Sequence, residues 1–500
     1  MELLRPLLIL AVCGTFLTAC RKDQAFTDES GITLDFSKDT VLFDTIFTQA
    51  PFSVNKRFTV HNPSSNAVRV DIALEGGSPS PYRINVDGAS GVTFEDVEIY
   101  GGDSLFIFVE VTLDQNNSSN PFIIEDHILF NTNGKEQEVL LLAWGQDAHF
   151  IMPGPDSIQV QGLPRFSYIA GGFDENGNQI CETVIWPDDL PYVIYGYGVV
   201  DSCCTLIIEP GVDIYMHGGA GLWVYRYGQV KANGDISQEI TFQGDRLEPA
   251  FDELPGQWDR IWLNEGSADL SNEFSNVLIK NALVGIQCEP FPIPLTPEPE
   301  NSLEKVRLSG VKIRNCSAAG ILSRNYTIEA ENLLVTDCGQ YSVALTGNGR
   351  YQFNQFTIAN YFDLDIRQTP AFYMNNVYVD YTNTQWVSDI TNSTFQNGII
   401  HGANENEFLM EFNDLAPPTD LSYFNMLFRT TEPTNSGYFP DQGTIYRNQS
   451  PGFVDVSGRD FHLTSSAFAR NKANGSGPFF DLDGVQRSGE RDLGCYEYTE

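Results

Sequence analysis

The stretch VKIRNCSAAG (Val311–Gly320) is answered 22 residues later by LLVTDCGQYS (Leu333–Ser342), each a short apolar strand ending in Asn or Asp followed by Cys. Extending the alignment to Phe356-Thr-Ile-Ala-Asn360 and Val377-Tyr-Val-Asp380 gives steps of 22, 23 and 21 residues, the length of one coil in a solenoid that grows along a single axis. Positions one and three of each unit are apolar: Val311 and Ile313, Leu333 and Val335, Phe356 and Ile358, Val377 and Val379. Alternate side chains of a strand face opposite ways, so these point into the coil. Asn281, Asn315, Asp337 and Asn360 then form a ladder at one turn, bonding along the column and to the backbone. Cys316 and Cys338 fall on successive coils about 4.8 Å apart, a spacing open to a disulfide or to two small buried thiols. The corner asks for a small buried side chain, which favours the thiols.

The texture begins earlier. LIIEPGVDIYMHGGAGLWVYRYGQVKANGDISQEITFQGD (Leu206–Asp245) consists of very short apolar strands ended by Gly or Asn, which suit parallel sheets running along a solenoid axis. With PGQWDRIWL and VLIKNALVGI, this block resembles the right-handed parallel β-helix proteins of bacterial surfaces. A step of about 34 residues between Ile286 and Val311 holds the surplus CEPFPIPLTPEPENS, a proline-rich acidic loop on the outside, read as a binding loop or a spacer.

From Ile32 to His149 the pattern is different: period-two alternation in KRFTVHN, AVRVDIALEGG and SLFIFVEVTL, with a hairpin at Asn133-Gly134. Seven or eight short strands in this span read as an antiparallel sandwich, and FTVHNPSS with GDSLFIFVEV and GQDA resembles the Ig-like modules that precede larger domains in bacterial surface proteins.

The 500 residues carry 66 acidic against 29 basic side chains, a formal charge of −37 that repels phosphate backbones and excludes nucleic acid as the expected partner. The acidity also simply keeps an extracellular protein in solution. MELLRPLLILAVCGTFLTAC has the form of a secretory signal, and LTAC (Leu17–Cys20) resembles the bacterial lipobox, which implies a lipidated Cys20 as the mature N-terminus. Arg21 is not the Asp that retains many such lipoproteins in the inner membrane, so the resemblance points to the outer membrane, with the leaflet open. Seven further cysteines, an odd number, leave at least one free thiol, and no C-x-x-C pair supports zinc.

The chain end, SPGFVDVSGRDFHLTSSAFARNKA then FFDLDGVQRSGERDLGCYEY, resembles the terminal region of bacterial β-helix proteins that finish in a choice-of-anchor segment. Asp483, Gly484, Arg487, Asp492, Gly494, Tyr496 and Glu497 match that pattern, while Cys495 stands where a small residue is common. A capping role over the last coil follows physically, because an uncovered coil exposes a core cross-section. Asp481 and Asp483 are the one candidate calcium site, although carboxylates in a turn serve equally as turn formers; no other cofactor is expected.

The expected organisation is therefore all-β: a leader over 1–20, a tether over 21–31, an Ig-like β-sandwich over 32–150, a linker over 151–165, a parallel β-helix over 166–475 and a cap over 476–500. For chemistry the candidates are few. The outward rows read Lys280, Arg314, Thr336, Ala359, Asp380 and Leu278, Lys312, Leu334, Thr357, Tyr378, with no carboxylate cluster of the sort that polysaccharide lyases and glycosidases use. Lys280, Lys312 and Arg314 make a basic patch that would attract a uronic-acid polymer, or are ordinary solvated charge. Asp363 and Asp365 in NYFDLDI are the best acidic pair, explained equally by strand alternation, and His127, His149, His217 and His401 read as structural. Trp223, Trp258, Trp262, Trp386 and the YVIYGYG tyrosines would stack on sugar rings or pack at corners. The reading that results is a lipid-anchored envelope protein presenting a glycan-binding or adhesive surface to polysaccharide or another cell-surface protein, with a pectin lyase-like lyase or hydrolase as the alternative.

Overall fold

A computed structural model describes residues 25–48, 50, 54–115, 121–154, 164–291, 302–379, 383–487 and 489–500. Cys20 and the segment read as its leader lie outside them. The fold is all-β, with one three-residue 3₁₀ turn at Gln442–Thr444 as the only helical element among the described residues, and none is a helix long and apolar enough to cross a membrane. The chain divides into two compact units, Met1–Asp147 and Ala148–Glu500.

The first unit holds two five-stranded sheets around one core that includes Val41, Phe43, Val60, Val70, Ile107, Phe130 and Leu141. Alternation explains it: Val68–Leu74 is buried at every second residue and Lys135–Gln146 at every second residue from Val139 on. The strands Phe122–Thr132 and Lys135–Gln146 are joined by Asn133 and Gly134, both at positive φ (52° and 82°), as a tight hairpin between right-twisted strands requires.

In the second unit nearly all strand pairs are parallel, and the strands assemble into two long sheets of 16 and 9 strands, the arrangement of a solenoid. Each coil contributes a strand to the smaller sheet and one bent strand, or two short ones, to the larger. Ile279, Ile313, Val335, Ile358 and Ile400 occupy one inward row, paired successively in register and 0% exposed. The steps of 22 and 23 residues are therefore true coils, but the third is not. Val377–Val379 forms an antiparallel hairpin with Gln385–Val387 outside the solenoid, and the strand that continues the row is Ser393–Gly402. In the outward rows, Ile399 and His401 stand where Tyr378 and Asp380 were expected, and Asp380 lies outside the described residues.

Two columns of left-handed residues shape each coil. Asn281, Asn315 and Asp337 (φ 65°, 57° and 51°) turn one corner, with Asn315 Nδ2 donating to Asn281 Oδ1 at 2.6 Å. Asn360 is in register with them but lies outside the left-handed region, its Nδ2 donating to the Cys338 carbonyl at 2.9 Å. A second column, Asn276, Gly310, Asn332, Gln355, Asn397 and Asn425, bends the larger sheet at φ between 48° and 66°. Cys316 and Cys338 are free, buried thiols on adjacent coils, as are Cys204, Cys288 and Cys495.

Cys181 and Cys203 form a disulfide across 22 residues at the start of the solenoid. Closing a loop of that length removes about 3 kcal/mol of denatured-state entropy. Substituting both by serine is expected to lower the thermal midpoint of the second unit and to abolish its dependence on added reductant; an unchanged midpoint would show that the bridge adds nothing.

The C-terminal segment lies along the side of the solenoid. Phe461, Leu482, Cys495 and Tyr496 pack on the outward side chains Leu334 and Ala359, and Leu463, Ala467, Ala469 and Leu493 pack on Ile399 and Leu427. Those outward residues are consequently buried, Leu334 at 8% and Leu427 at 0% exposure. Polar anchors tie the segment down on the second column of bends: Asn332 Nδ2 to the Phe480 carbonyl (2.8 Å), Asn397 Nδ2 to Asn474 Oδ1 (3.0 Å) and Asn425 Nδ2 to the Lys472 carbonyl (3.0 Å).

Candidate functional site

The basic patch is electrically closed. Lys280 pairs with Asp252 (2.5 Å), Lys312 with Glu239 (2.8 Å) and Arg314 with Glu253 (2.7 Å), while Arg459 from the C-terminal segment reaches both Glu253 and, at 3.3 Å, Asp337. Four cations face four carboxylates, so the groove of about 450 Å³ lined by Lys312, Arg314 and Arg459 offers no net positive charge to a polyanion. Burial holds the Asp337 carboxyl above the ordinary carboxylate range, with Arg459 working against that shift.

Asp363 and Asp365 are exposed in the loop that follows the strand Thr357–Asn360; FDLDI is not a strand. Its apolar members face water too, Leu364 at 59% and Ile366 at 86% exposure, so alternation there marks no buried face. Asp481 is buried, and its two oxygens accept the backbone N–H groups of Asp483 (2.9 Å), Val485 (2.7 Å) and Glu497 (2.9 Å). Asp483 instead meets His462 Nε2 at 2.7 Å. Both carboxylates are thus engaged in building the turn, and no group of three or more His, Cys, Asp or Glu side chains among the described residues is arranged to hold a metal ion. Arg487, fully buried, completes the same lock through Glu497 (2.5 Å), Asn332 Oδ1 (3.0 Å) and the Gly494 carbonyl (3.2 Å).

The histidines divide. His127 meets Glu75 and His149 meets Asp189, each at 3.0 Å, and His217 Nδ1 lies 2.7 Å from Asp245, a hydrogen bond that raises the imidazole pKa. His401 is buried beside Tyr361, whose hydroxyl lies 2.7 Å from Nδ1, and burial pushes its pKa down to about 4.

The aromatic residues sort by sheet face. Trp258 is core, 1% exposed, with Nε1 donating to the Lys280 carbonyl at 2.9 Å, whereas Trp386 sits on the hairpin outside the solenoid. Among the YVIYGYG tyrosines, Tyr192 stacks on Trp186 (4.2 Å), Tyr195 on His217 (4.4 Å), and Tyr197 is buried with its hydroxyl on Asp259. Trp223 and Trp262 occupy one outward row of the smaller sheet, paired in register and stacked at 4.9 Å. Phe291 lies 5.8 Å from Trp223 and Tyr225 stands edge-on to it at 5.5 Å, leaving Trp223 only 3% exposed beneath half-buried Trp262, Tyr225 and Phe291.

Hydrogen-bonding groups border this aromatic platform. Trp262 Nε1 donates to Glu289 Oε1 (3.1 Å), Gln287 Nε2 to the same oxygen (2.5 Å), and Arg324 to Glu289 Oε2 (3.2 Å), while Arg260 bridges Asp259 and Gln287. An aromatic surface flanked by a planar amide, a carboxylate and two guanidinium groups can stack on the apolar face of a sugar and bond its hydroxyls. Phe291 was not singled out in the sequence, although the proline-rich insertion that holds it was read as a binding loop or a spacer.

The fold and its faces define an all-β protein built around a solenoid of parallel sheets. No family model and no curated protein matches the chain. Among the solved structures that match over short stretches are the VesB protease of Vibrio cholerae (15% identity, 22% of this chain, 31% of that chain, TM-score 0.16), the E. coli chaperone DraB (12%, 26%, 58%, 0.17) and the CooA pilin subunit of enterotoxigenic E. coli (12%, 23%, 97%, 0.17). The chain thus spans under two thirds of the first two, and similarity at this level carries no argument about activity.

Proposed function

We propose that the chain is a lipid-anchored cell-envelope protein in which an N-terminal Ig-like β-sandwich carries a right-handed parallel β-helix with a glycan-binding or adhesive face. The lipobox-like LTAC ending at Cys20 supports the anchor and, with Arg21, the outer membrane. The observation that carries the binding reading is the half-buried trio Trp262, Tyr225 and Phe291 over buried Trp223, bordered by Gln287, Glu289 and Arg324. Candidate catalytic residues Asp363 and Asp365 sit in an exposed loop, and Lys312 and Arg314 are neutralised by carboxylates, so the face supports retention of a saccharide more than its cleavage.

Trp262→Ala is expected to lower retention of the purified chain on its preferred polysaccharide, within a panel of neutral and acidic glycans, by at least tenfold, about 1.4 kcal/mol. Equal retention by the variant, or retention of no glycan by either protein, would sink the reading. Release of new sugar ends in the same incubations would replace it with the lyase or hydrolase alternative.

A further inference from the structure

A second cleft, remote in the fold from the aromatic face, lies between the last coils and the start of the C-terminal segment. It measures about 850 Å³, and its lining includes Tyr361, His401, Arg429, Arg447, Thr431, Ser450 and Phe453. The coil register builds it: His401 follows inward Ile400, Arg429 follows inward Phe428, and Arg447 pairs with Phe428 on the next strand. His401 and Arg429 therefore share an outward row, while Arg447 takes the register position of Phe428 on Ile445–Arg447, the last strand of the larger sheet, where it is exposed.

Several arginines of this unit meet carboxylates, such as Arg314 with Glu253, Arg367 with Glu407 and Arg487 with Glu497, whereas Arg470 and Arg491 bond backbone carbonyls. Arg429 and Arg447 have no carboxylate within ion-pair distance among the described residues; Arg447 touches only the Thr430 carbonyl, at 3.5 Å. In a chain of net charge −37, two arginines without an ion-pair partner that line one cleft give it a local surplus of positive charge. Glu405, exposed at the rim, is the one carboxylate lining the cleft. His401 stays neutral near pH 7, since burial and neighbouring Arg429 both disfavour its charge, so it serves as a hydrogen-bonding wall that fixes Tyr361.

We infer that this cleft binds the anionic group of an acidic saccharide. Guanidinium forks match the planar oxygens of a carboxylate and equally those of a sulfate or phosphate ester. The hydroxyls of Thr431 and Ser450 suit a polyhydroxylated body, and half-buried Phe453 supplies a ring for it.

The test uses the full chain in mild detergent, titrated with a uronate oligosaccharide, the same oligosaccharide with its carboxyls reduced to alcohols, a sulfated oligosaccharide and inorganic phosphate. An acidic oligosaccharide is expected to bind at least tenfold more tightly than the reduced one. Arg447→Glu, at an exposed position, and Arg429→Ala are each expected to weaken it at least tenfold. Whichever of the uronate and the sulfated sugar binds better names the oxyanion. Failure of both acidic sugars to bind, equal binding by the arginine variants, or competition by phosphate as strong as by the oligosaccharides would overturn the assignment.

Discussion

Arg487→Ala is expected to detach the C-terminal segment and to cost about 3–5 kcal/mol, the range for breaking a buried ion pair from one side. The guanidinium is fully buried and faces Glu497, itself largely buried, while its other contacts go to Asn332 and the Gly494 carbonyl. Removing it strands the Glu497 carboxylate away from water and leaves the Asn332 oxygen without its donor. Limited proteolysis should then cut between residues 451 and 498 at enzyme concentrations that leave the parent chain intact, and the thermal midpoint should fall. Arg487→Met, which fills the volume without a charge, still strands Glu497, but the double change Arg487→Met with Glu497→Leu should recover much of the loss. Parent-like resistance in Arg487→Ala would mean that the apolar contacts of Leu482, Leu493 and Tyr496 suffice.

The second large effect concerns Glu304. It is 0% exposed, neither carboxyl oxygen has a hydrogen-bond partner, and burial, reinforced by Glu265, raises its pKa to about 8. The folded chain thus holds a proton that the unfolded chain releases near pH 4.5, so stability falls as pH rises between those two values and levels off above about 8. At 1.36 kcal/mol per unit, the full span amounts to roughly 4–5 kcal/mol. Glu304→Gln keeps the shape and removes the titration. The variant should match the parent near pH 4.5 and exceed it increasingly toward pH 8, read as the difference in denaturation midpoint across that window. Parallel pH profiles for the two proteins would show that Glu304 is ionised in the fold.

What could be read in advance follows from how local each constraint is. Val311 and Ile313 recur as Leu333 and Val335, then Phe356 and Ile358, because each coil buries the same two positions; that rule needs only neighbouring residues, and it held for those coils. It failed at Val377-Tyr-Val, where a hairpin outside the solenoid shows the same alternation as a coil strand. The corner of Asn281, Asn315 and Asp337 was legible because its residues look alike. The bend of Asn276, Gly310, Asn332, Gln355, Asn397 and Asn425 was not, since a left-handed position accepts several residue types. Long-range contacts were the least visible. Nothing near Leu334 or Ile399 announces that residues more than 60 positions downstream will cover them, nor that Glu239, Asp252 and Glu253 will neutralise Lys312, Lys280 and Arg314. Arg429 and Arg447 were missed because the coils that carry them follow the misread hairpin.

The lateral course of the C-terminal segment sets a temporal order on maturation. Leu334, Ala359, Ile399 and Leu427 leave the ribosome, and in an exported chain cross the membrane, before the residues from Phe461 to Tyr496 that shield them. Throughout that interval the growing solenoid carries an oily stripe along its flank, the kind of surface that holdase chaperones grip and that neighbouring nascent chains adhere to. Closure of the flank therefore waits on the final turn around Asp481, Arg487 and Glu497, a zipper that cannot be drawn shut before that turn has emerged.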